Sequence, residues 1–583
     1  MMSVPYGCII STQMNEFSTT AVSLIAFSKA IFFVYCAGTV YLLWRRAGAV
    51  AHMLLTTAAV VLFYAVFAWP LTTMWWGNSG DENLILAFLT QVLHGNMFRD
   101  FYHAWLPPYY PPLYFWITGS VARLFTANAV QAAKLGTVFA LTLWFAAPLA
   151  LWSLFNRSNM SKQTDETMRL PWFWFFAPFI FFLMIDFDAV ITKPYEVLSA
   201  LLVALFTGLL AQALSYERWT IAHFLFFGIT GGILFMTFYF WLFIALVSLL
   251  AVAVFSKQRT RAVTRIISIG IIMVVVSSPY LVPLLMSYAR YGIENWQGHF
   301  FVPGDLATII PWGMSLRGLL AAAGLTSLVV TSGRSFFARG VLALFVASYV
   351  YQLAGITSLL LGMTPFVPSK PFPFLSSACL AVGIAYGACF LGERYAHRLS
   401  RAAQRSVAIL VFLVLVSEMP FVTFLDNPKV LVQLQQNLDY TADAPLAGVI
   451  ASFVPDYRER TWLVSDVPRV SSVLPLSYFI SFNQHYSHHA SQFSRRFDLV
   501  RRLSTAQTPA EFNAIIAEGE PPIDALALYR AHGSSEYLLF FWVDHYPNGG
   551  SELTISIPRH LLESSEWLNV YELEEWSVFI ASG

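Results

Sequence analysis

The chain has 583 residues, of which 57% are hydrophobic, 16% aromatic and only 11% charged. Its mean hydropathy of +0.61 is typical of a polytopic membrane protein and excludes a disordered or ordinary soluble chain. The net charge of +1 and the lack of a basic tract give no indication of nucleic-acid binding. The four cysteines show no metal-ligand spacing, so neither a disulfide framework nor a zinc site is expected.

Apolar runs of spanning length dominate the first 424 residues. The first runs from about Ala21 to Trp44, the next from Leu54 to Trp69, and the last from about Val407 to Phe424. Counting such runs predicts about twelve membrane spans, because about 20 apolar residues are needed to cross the hydrocarbon core as a helix. Residues 1–424 are therefore predicted to be a membrane all-α polytopic bundle.

Basic residues between the runs fall in alternate loops, beginning with Arg45 and Arg46 and including Lys257 and Arg261. By the positive-inside rule these loops are cytoplasmic. Four other loops are then extracytoplasmic: 75–128, 186–196, 287–305 and 362–373. This pattern requires that Pro111 to Phe125 lie at the outer surface or enter the membrane only partway.

The first outer loop, residues 75–128, carries adjacent carboxylates at Asp81 and Glu82. An ionised side chain at membrane depth is unfavourable by about 3 kcal/mol, so such residues usually face a cavity or the interior of a bundle. The Ser79-Gly80-Asp81 sequence favours Asp81 as the N-cap of a helix starting at Glu82, a role compatible with catalysis. Adjacent helical residues point about 100° apart, so the two carboxylates should not face one cavity equally. The residue at the cap position projects from the loop, whereas the next one begins the helix. We therefore expect Asp81 to be a catalytic base and Glu82 an orienting or acceptor-binding group.

The rest of this loop is predicted to be rigid and aromatic. Leu84, Phe88, Leu89 and Val92 have the spacing of an amphipathic helix lying along the membrane surface. The pairs Pro107-Pro108 and Pro111-Pro112, which follow, restrict the backbone. Three aromatic side chains here fit sugar stacking and membrane-interface anchoring equally well: Tyr109, Tyr110 and Trp116.

Isolated cations in or near the outer loops could bind a lipid phosphate through charge-assisted hydrogen bonds. The candidates are Lys134, Lys193, Arg290, Lys370 and His103. Lys134 could instead extend to the membrane interface, and Lys193 and Arg290 could be solvated loop charges. Lys370 lies between Pro368 and Pro371, which pre-set its backbone.

Residues 425–583 have ordinary charge density and are long enough for a soluble domain. Pro509 to Ala517 is predicted to be a helix capped by Thr508, with Glu511 closing a capping box. Strands are predicted at Tyr537 to Val543, Ser551 to Ile557 and Glu575 to Ala581. These elements indicate an α+β domain, and the loop charges place it outside the membrane.

Three segments resemble one known family. They are GDENLILAFLTQ with the following LPPYYPPLYFWITGSVARLF, then ITKPYEVLSALLV (Ile191 to Val203), and SYFISFNQHYSHHASQFSRRFDLVRRL (Ser477 to Leu503). They are similar to the arabinofuranosyltransferase A family of the GT-C glycosyltransferase superfamily. Lys193 stands where that family has an acidic residue before the proline.

The resemblance implies an enzyme that transfers arabinofuranose from decaprenyl-phosphoryl-arabinose to a galactan-like cell-wall polysaccharide, with inversion, at the outer face of the inner membrane. It also implies that Asp81 is the base. Its partners would be the polyprenyl-phosphate sugar donor, the polysaccharide acceptor and the lipid bilayer. No cofactor is required, and no metal site is assigned, although a divalent cation remains open.

The third segment supplies candidate contacts to the acceptor sugar: Gln484, His485 and Tyr486. The cluster of His485, His488 and His489 could instead ligate a metal ion, which is the less favoured interpretation. Two alternatives to the proposed activity stay open. One is a GT-C transferase that uses another polyprenyl-phosphate sugar, and the other is a non-catalytic transporter of a polyprenyl-linked substrate.

Overall fold

The computed structural model describes most of the chain. The described residues are 18–126, 128–157, 168, 170–294, 315–363, 370–395, 398, 400–439, 445–465, 470–530, 533–544, 550–563, 566–572 and 575–582. Within them, the helices of the membrane region are α1 (Thr19–Arg45), α2 (Ala49–Ala68), α3 (Asp81–Leu93), α4 (Leu113–Ala122), α5 (Ala129–Arg157), α6 (Pro171–Met184), α7 (Phe187–Thr192), α8 (Pro194–Leu214), α9 (Ile221–Phe238), α10 (Phe240–Val254), α11 (Arg259–Tyr291), α12 (Leu316–Ser332), α13 (Phe336–Leu360), α14 (Ser377–Tyr395), α15 (Arg401–Val416) and α16 (Pro420–Thr423).

Among the described residues, eight helices are long and apolar enough to cross a membrane, fewer than the twelve spans predicted. Another five apolar helices have only 10–17 residues. At 1.5 Å per residue such helices fall short of a hydrocarbon core of about 30 Å. The count is lower because several apolar segments form helices below this length: the run from Ile221 to Val254, for example, forms α9 and the 15-residue α10, with Tyr239 between them. The structure nevertheless confirms a multi-pass helical membrane protein.

The helix α8 lies at the centre of the bundle, with 94% of its apolar window buried inside the protein. Around it pack α9, α10, α13, α14 and α5. By contrast, only 22% of the corresponding windows of α1 and α11 is buried, so most of their apolar surface faces outward. Apolar side chains exposed in this way are expected where a helix contacts lipid.

The helix α3 begins the first outer loop and is not the surface helix that its sequence predicts. Every residue from Glu82 to Leu93 is buried. Its apolar side chains pack on α4 and α5, where Gly119 of α4 lies so close that an added Cβ would come within 2.5 Å of Val92. The polar side chains of Thr90 and Gln91 bond to the carbonyls of Ser472 and Leu476. The amphipathic pattern therefore did not predict that protein, instead of water, covers the polar face.

The segment Pro111 to Phe125 does not cross the membrane as a full span, as the charge pattern predicts. Its helix α4 has only 10 residues, from Leu113 to Ala122. That is about 15 Å of helix, half of what a span needs. The side chains of Leu124 and Phe125 after its end are 78% and 76% exposed, which suits a position at the membrane interface.

The C-terminal region contains helices and a mixed sheet. Its elements are α17 (Pro428–Asp439), α18 (Pro445–Phe453), β1 (Thr461–Val464), β2 (Ser477–Tyr478), α19 (Phe493–Leu503), α20 (Pro509–Ala517), β3 (Ala525–Tyr529), β4 (Glu536–Asp544), β5 (Gly550–Pro558), β6 (Trp567–Glu572) and β7 (Trp576–Ala581). The α+β prediction is confirmed, including α20 with its Thr508 cap. Glu511 bonds to the N–H of Gln507, one residue before the cap, so the capping box is not closed at Thr508 itself.

The sheet is built around β1, β3 and β7. β1 runs parallel to β2 and β3, while β7 is antiparallel to both β3 and β6. The hairpin β4–β5 joins β3 through a single residue pair, Tyr529 with Leu538. Phe493 and Phe512, from α19 and α20, belong to the apolar core of this sheet together with Leu539 and Phe541 of β4.

This C-terminal domain packs directly on the first outer loop. The N–H of Tyr478 in β2 donates to the carbonyl of Tyr102 at 2.7 Å, and the ring Nδ1 of His103 lies 3.1 Å from the carbonyl of Tyr478. Arg496 of α19 places its guanidinium 4.7 Å from the ring centres of both Trp105 and Phe479. The loop that carries Asp81 is therefore enclosed between membrane helices and the C-terminal sheet.

Candidate active site

A tight turn presents Asp81 at the start of α3. Three residues before it have a positive φ: Gly77 at 69°, Asn78 at 62° and Gly80 at 59°. This backbone suits glycine, and Asn78 is among the few other residues that tolerate it. The Asn78 side chain accepts a bond from the N–H of Met74 at 2.8 Å, which closes the turn. The expectation that Asp81 is the N-cap is wrong, because Gly80 takes the cap position and the helix begins at Asp81.

Both oxygens of the Asp81 carboxylate have partners from distant parts of the chain. Lys193, which immediately precedes α8, forms an ion pair with Oδ2. Tyr486 of the C-terminal domain donates to Oδ1 at 3.2 Å. The Asp81 side chain remains 28% exposed, so an acceptor hydroxyl can reach it.

The electrostatics of the site keep Asp81 ionised. Burial raises the pKa of Asp81, but Lys193, together with Lys370, lowers it more, so the pKa lies below its ordinary value. Burial lowers the pKa of Lys193, but the carboxylates of Glu196 and Asp81 raise it more. Asp81 and Lys193 are therefore both charged near neutral pH.

A second carboxylate, Glu196, belongs to the same cluster and was missed in the sequence. Lys370 lies 3.1 Å from Oε2 and 3.3 Å from Oε1 of Glu196, and the hydroxyl of Tyr110 donates to Oε1 at 3.2 Å. The Tyr110 hydroxyl also lies 3.0 Å from that of Tyr195. The signal that could have revealed Glu196 was an acid in the first turn of a long apolar helix, since such residues usually have a functional partner.

The C-terminal domain covers this cluster with the short 3-10 turn Gln484–Tyr486. The N–H of His485 donates to the side chain of Asn483 at 2.7 Å, which holds the turn in place. Burial lowers the pKa of His485 to about 4, although the nearby Asp81 charge opposes the shift. His485 is thus neutral near pH 7 and can donate and accept hydrogen bonds. Gln484 lies in the same turn and is 6% exposed.

Six of the predicted site residues thus lie in or beside one cluster, which we call the acid–lysine cluster. It consists of Asp81, Lys193, Glu196 and Lys370, with Tyr110, Tyr195, His485 and Tyr486 around them.

Glu82 points away from this cluster toward the turn. Its Oε1 accepts from the N–H of Trp76 at 2.8 Å and its Oε2 from that of Asn78 at 3.1 Å. Its exposed fraction is 0%, so it organises the turn that presents Asp81 and has no surface for an acceptor. Burial raises the pKa of Glu82 to about 8, against the lowering effect of these two N–H groups.

Two predicted phosphate ligands are enclosed elsewhere. Lys134 is 3% exposed and donates to the carbonyl of Leu71, beside a small cavity that Tyr64 and Trp75 help to line. His103 is 0% exposed and contacts the backbone of Tyr478. The contacts described for Lys134 and His103 are not with residues of the acid–lysine cluster. Their part in phosphate binding stays a prediction.

Other predicted residues have contacts outside the acid–lysine cluster. The guanidinium of Arg290 lies 5.1 Å from the ring centre of Tyr291, which follows it in α11. The indole of Trp116 donates to the carbonyl of Met97 at 2.6 Å. The ring of Tyr109 lies 5.4 Å from those of His488 and His489.

Among the described residues, no group of three or more His, Cys, Asp or Glu side chains is arranged to hold a metal ion. In particular, the three histidines His485, His488 and His489 do not converge on a common point as ligands. Burial lowers the pKa of His489 to about 4, and it lowers that of His488 as well. All three side chains are therefore neutral members of the packed contact between the first loop and the C-terminal domain.

Comparison with known proteins identifies the family. Residues 8–418 match the family model described as arabinofuranosyltransferase N terminal. The galactan 5-O-arabinofuranosyltransferase of Mycolicibacterium smegmatis is 24% identical over 549 residues, which cover 87% of this chain and 83% of that protein. The protein of the same name from Mycobacterium tuberculosis is 23% identical over 536 residues, which cover 87% and 80%.

The chain is also similar to the crystal structure of ArnT from Cupriavidus metallidurans bound to undecaprenyl phosphate. The match covers 90% of this chain and 97% of the ArnT chain, with a TM-score of 0.44 and 12% identity. The family model alone spans well over half of the chain and includes Asp81, Lys193, Glu196 and Lys370. The chain therefore belongs to the arabinofuranosyltransferase family and is a membrane glycosyltransferase.

Proposed function

We propose that this protein transfers arabinofuranose from decaprenyl-phosphoryl-arabinose to a galactan acceptor, with inversion at the anomeric carbon and Asp81 as the base. The observation that carries the proposal is the acid–lysine cluster, in which an accessible carboxylate adjoins two lysines at the end of a membrane helix. The names of the relatives support arabinofuranose as the sugar and galactan as the acceptor.

In the proposed step, the Asp81 carboxylate takes the proton of an acceptor hydroxyl as its oxygen attacks the anomeric carbon. The bond between that carbon and the phosphate oxygen breaks, and polyprenyl phosphate leaves. One negative charge therefore moves from Asp81 to the departing phosphate.

Lys193 and Lys370 are suited to stabilise that movement of charge. Lys193 pairs with Asp81 before the reaction and is free to bind the phosphate once Asp81 is protonated. Ammonium groups that face a developing phosphate charge contribute more in a partly buried site than in water. These two lysines supply the positive charge that a phosphate leaving group needs, and the prediction that no cofactor is required rests on them.

The side of the membrane is part of the same proposal. Loop charges favour an extracytoplasmic position for Asp81 and the C-terminal domain, in the inner membrane. A cysteine introduced at Ser79 should react with an impermeant thiol reagent added to intact cells, whereas one at Arg261 should not. The reverse labelling pattern would place the donor on the cytoplasmic side and overturn the orientation.

The activity itself is tested with purified full-length protein in lipid nanodiscs, radiolabelled decaprenyl-phosphoryl-arabinose and an oligogalactan. We expect label in the oligogalactan and free decaprenyl phosphate in equal amounts, with and without a chelator. A mannose-bearing polyprenyl phosphate serves as the donor control. Transfer of mannose but not arabinose would favour a different sugar, and binding of the donor without any transfer would favour a transporter.

A further inference from the structure

In the acid–lysine cluster, anionic and cationic side chains alternate, and the two carboxylates differ in how exposed they are. Lys193 directly precedes α8, and Glu196 is the third residue of that helix, close enough for its charge to act on Lys193. Asp81 contacts Lys193 at one end of the row, and Lys370 contacts Glu196 at the other.

Glu196 is fixed, whereas Asp81 can exchange its partners. The side chain of Glu196 is 3% exposed, and both of its oxygens already accept bonds, from Lys370 and Tyr110. The backbone carbonyl of Glu196 accepts a bond from the indole of Trp241 at 3.0 Å, which holds this turn of α8. Asp81 is 28% exposed, and within the described part of the chain its carboxylate contacts Lys193 and Tyr486. An incoming hydroxyl can therefore reach Asp81 but not Glu196.

We propose that Glu196 is a positioning residue, the permanent counter-ion that keeps Lys193 and Lys370 in place while Asp81 gives up its charge during transfer. The inference rests on the proposed function, because it assigns Glu196 to the step in which Asp81 is protonated. At that moment Lys193 loses one anionic partner. Glu196 remains ionised beside both lysines and holds their ammonium groups in position. The N–H groups that do not bond to Glu196 can then donate to the phosphate.

The groups that face Lys193 make this role testable. They are Asp81 from α3, Glu196 from α8 and His485 from the C-terminal turn, while Lys370 faces Glu196 and His485. Burial lowers the pKa of Lys193, and the carboxylates of Glu196 and Asp81 oppose this effect. Without the Glu196 charge, Lys193 should lose its proton at a lower pH than in the native protein.

The test compares Glu196→Gln and Glu196→Asp with the native protein, all full-length and in nanodiscs. Asp186→Asn is the matched control, because Asp186 is 77% exposed and pairs with Arg317 outside the acid–lysine cluster. Binding of decaprenyl phosphate is measured from about pH 7 to about pH 12, a range that extends beyond the ordinary pKa of lysine. Arabinose transfer is measured in parallel.

We expect Glu196→Gln to bind decaprenyl phosphate about tenfold more weakly and to lose binding at a pH about one unit lower than the native protein does. Glu196→Asp keeps the charge and should recover most of the pH range, while Asp186→Asn should match the native protein. A folded Glu196→Gln variant with native affinity and an unshifted alkaline limit would overturn the inference.

If Glu196→Gln does not fold, Glu196→Asp decides: a native alkaline limit supports the counter-ion role, and a shifted limit contradicts it. A failure of the proposed function would give a different result from a failure of this inference. In that case the native protein transfers no arabinose, yet the binding measurements still distinguish the variants as described.

Discussion

The hydroxyl of Tyr486 donates a hydrogen bond to Oδ1 of Asp81 at 3.2 Å, although 405 residues separate the two in the chain. Lys193 occupies the other oxygen of the same carboxylate. The orientation of Asp81 is thus set jointly by a membrane helix and by the C-terminal domain. The C-terminal domain therefore completes the candidate site, and its contacts are as open to test as those of Asp81.

Removing the Tyr486 hydroxyl should slow transfer without unfolding the protein. A hydrogen bond to a charged group contributes about 1.5 to 3 kcal/mol, so Tyr486→Phe should reduce kcat by a factor between about 10 and 10². The loss of a donor to the carboxylate also raises the pKa of Asp81, which moves the acidic limb of the rate profile to higher pH. Tyr571→Phe, in β6, is the control. An unchanged kcat and acidic limb in Tyr486→Phe would show that this bond does not orient the base.

Asp81→Asn should lower turnover by about 10² to 10⁴, the usual contribution of a general base, while leaving decaprenyl phosphate binding within a few-fold of native. The amide keeps the size of the side chain but cannot accept the proton. Single-turnover transfer of labelled arabinose measures the effect, and Asp186→Asn serves as the control for an acid-to-amide change. Near-native turnover in Asp81→Asn would remove the carboxylate base from the mechanism.

Glu82→Gln should act through stability and its dependence on pH. Because burial raises the pKa of Glu82 to about 8, the native state holds its proton more tightly than the unfolded chain, whose ordinary value is 4.5. The stability from this group is fully present below about pH 4.5 and is lost as the pH rises through about 8. Gln has no such titration, so the Tm of the variant relative to native should increase between pH 5 and about pH 8. A constant difference in Tm across this range would contradict the shifted pKa of Glu82.

Lys193→Met should weaken decaprenyl phosphate binding and raise the pKa of Asp81. An adjacent cation lowers a carboxyl pKa by about one to three units, so the acidic limb of activity should move up by about one unit or more. Lys29→Met is the matched control, since Lys29 pairs with Asp426 at 2.6 Å outside the acid–lysine cluster. Lys193→Arg should retain part of the activity because it keeps the charge. A Lys193→Met variant with a native rate profile would separate this lysine from the reaction.

Arg496→Ala should loosen the C-terminal domain from the first loop. Its guanidinium donates to the carbonyls of Ser491 at 2.6 Å and Phe479 at 2.7 Å, and also to that of Glu520, while it stacks on Trp105. Leaving buried carbonyls without a donor is unfavourable by about 1 to 3 kcal/mol each, so a large fall in Tm and faster proteolysis are expected. Arg495→Ala, at a side chain that is 64% exposed, should change neither.

Several features followed from the sequence because they depend on local composition. Apolar length predicted the membrane helices, and the alternation of basic loops predicted that the Pro111 to Phe125 segment does not span. The cap residue Thr508 and the proline at the first helical position predicted both bounds of the helix Pro509–Ala517. The Gly-Asp-Glu segment predicted a candidate base, Asp81, and the fold places that residue in the acid–lysine cluster. Each of these signals is carried by neighbouring residues.

The tertiary structure alone decided which charges meet. Nothing in the sequence pairs Asp81 with Lys193 and Tyr486, or Lys370 with Glu196, since these contacts join segments more than one hundred residues apart. It also decided that α3 is covered, because a polar helix face looks the same whether water or another domain satisfies it. A buried carboxylate is stable only beside a cation or N–H groups, and the fold alone shows that Asp81 has lysine whereas Glu82 has the backbone.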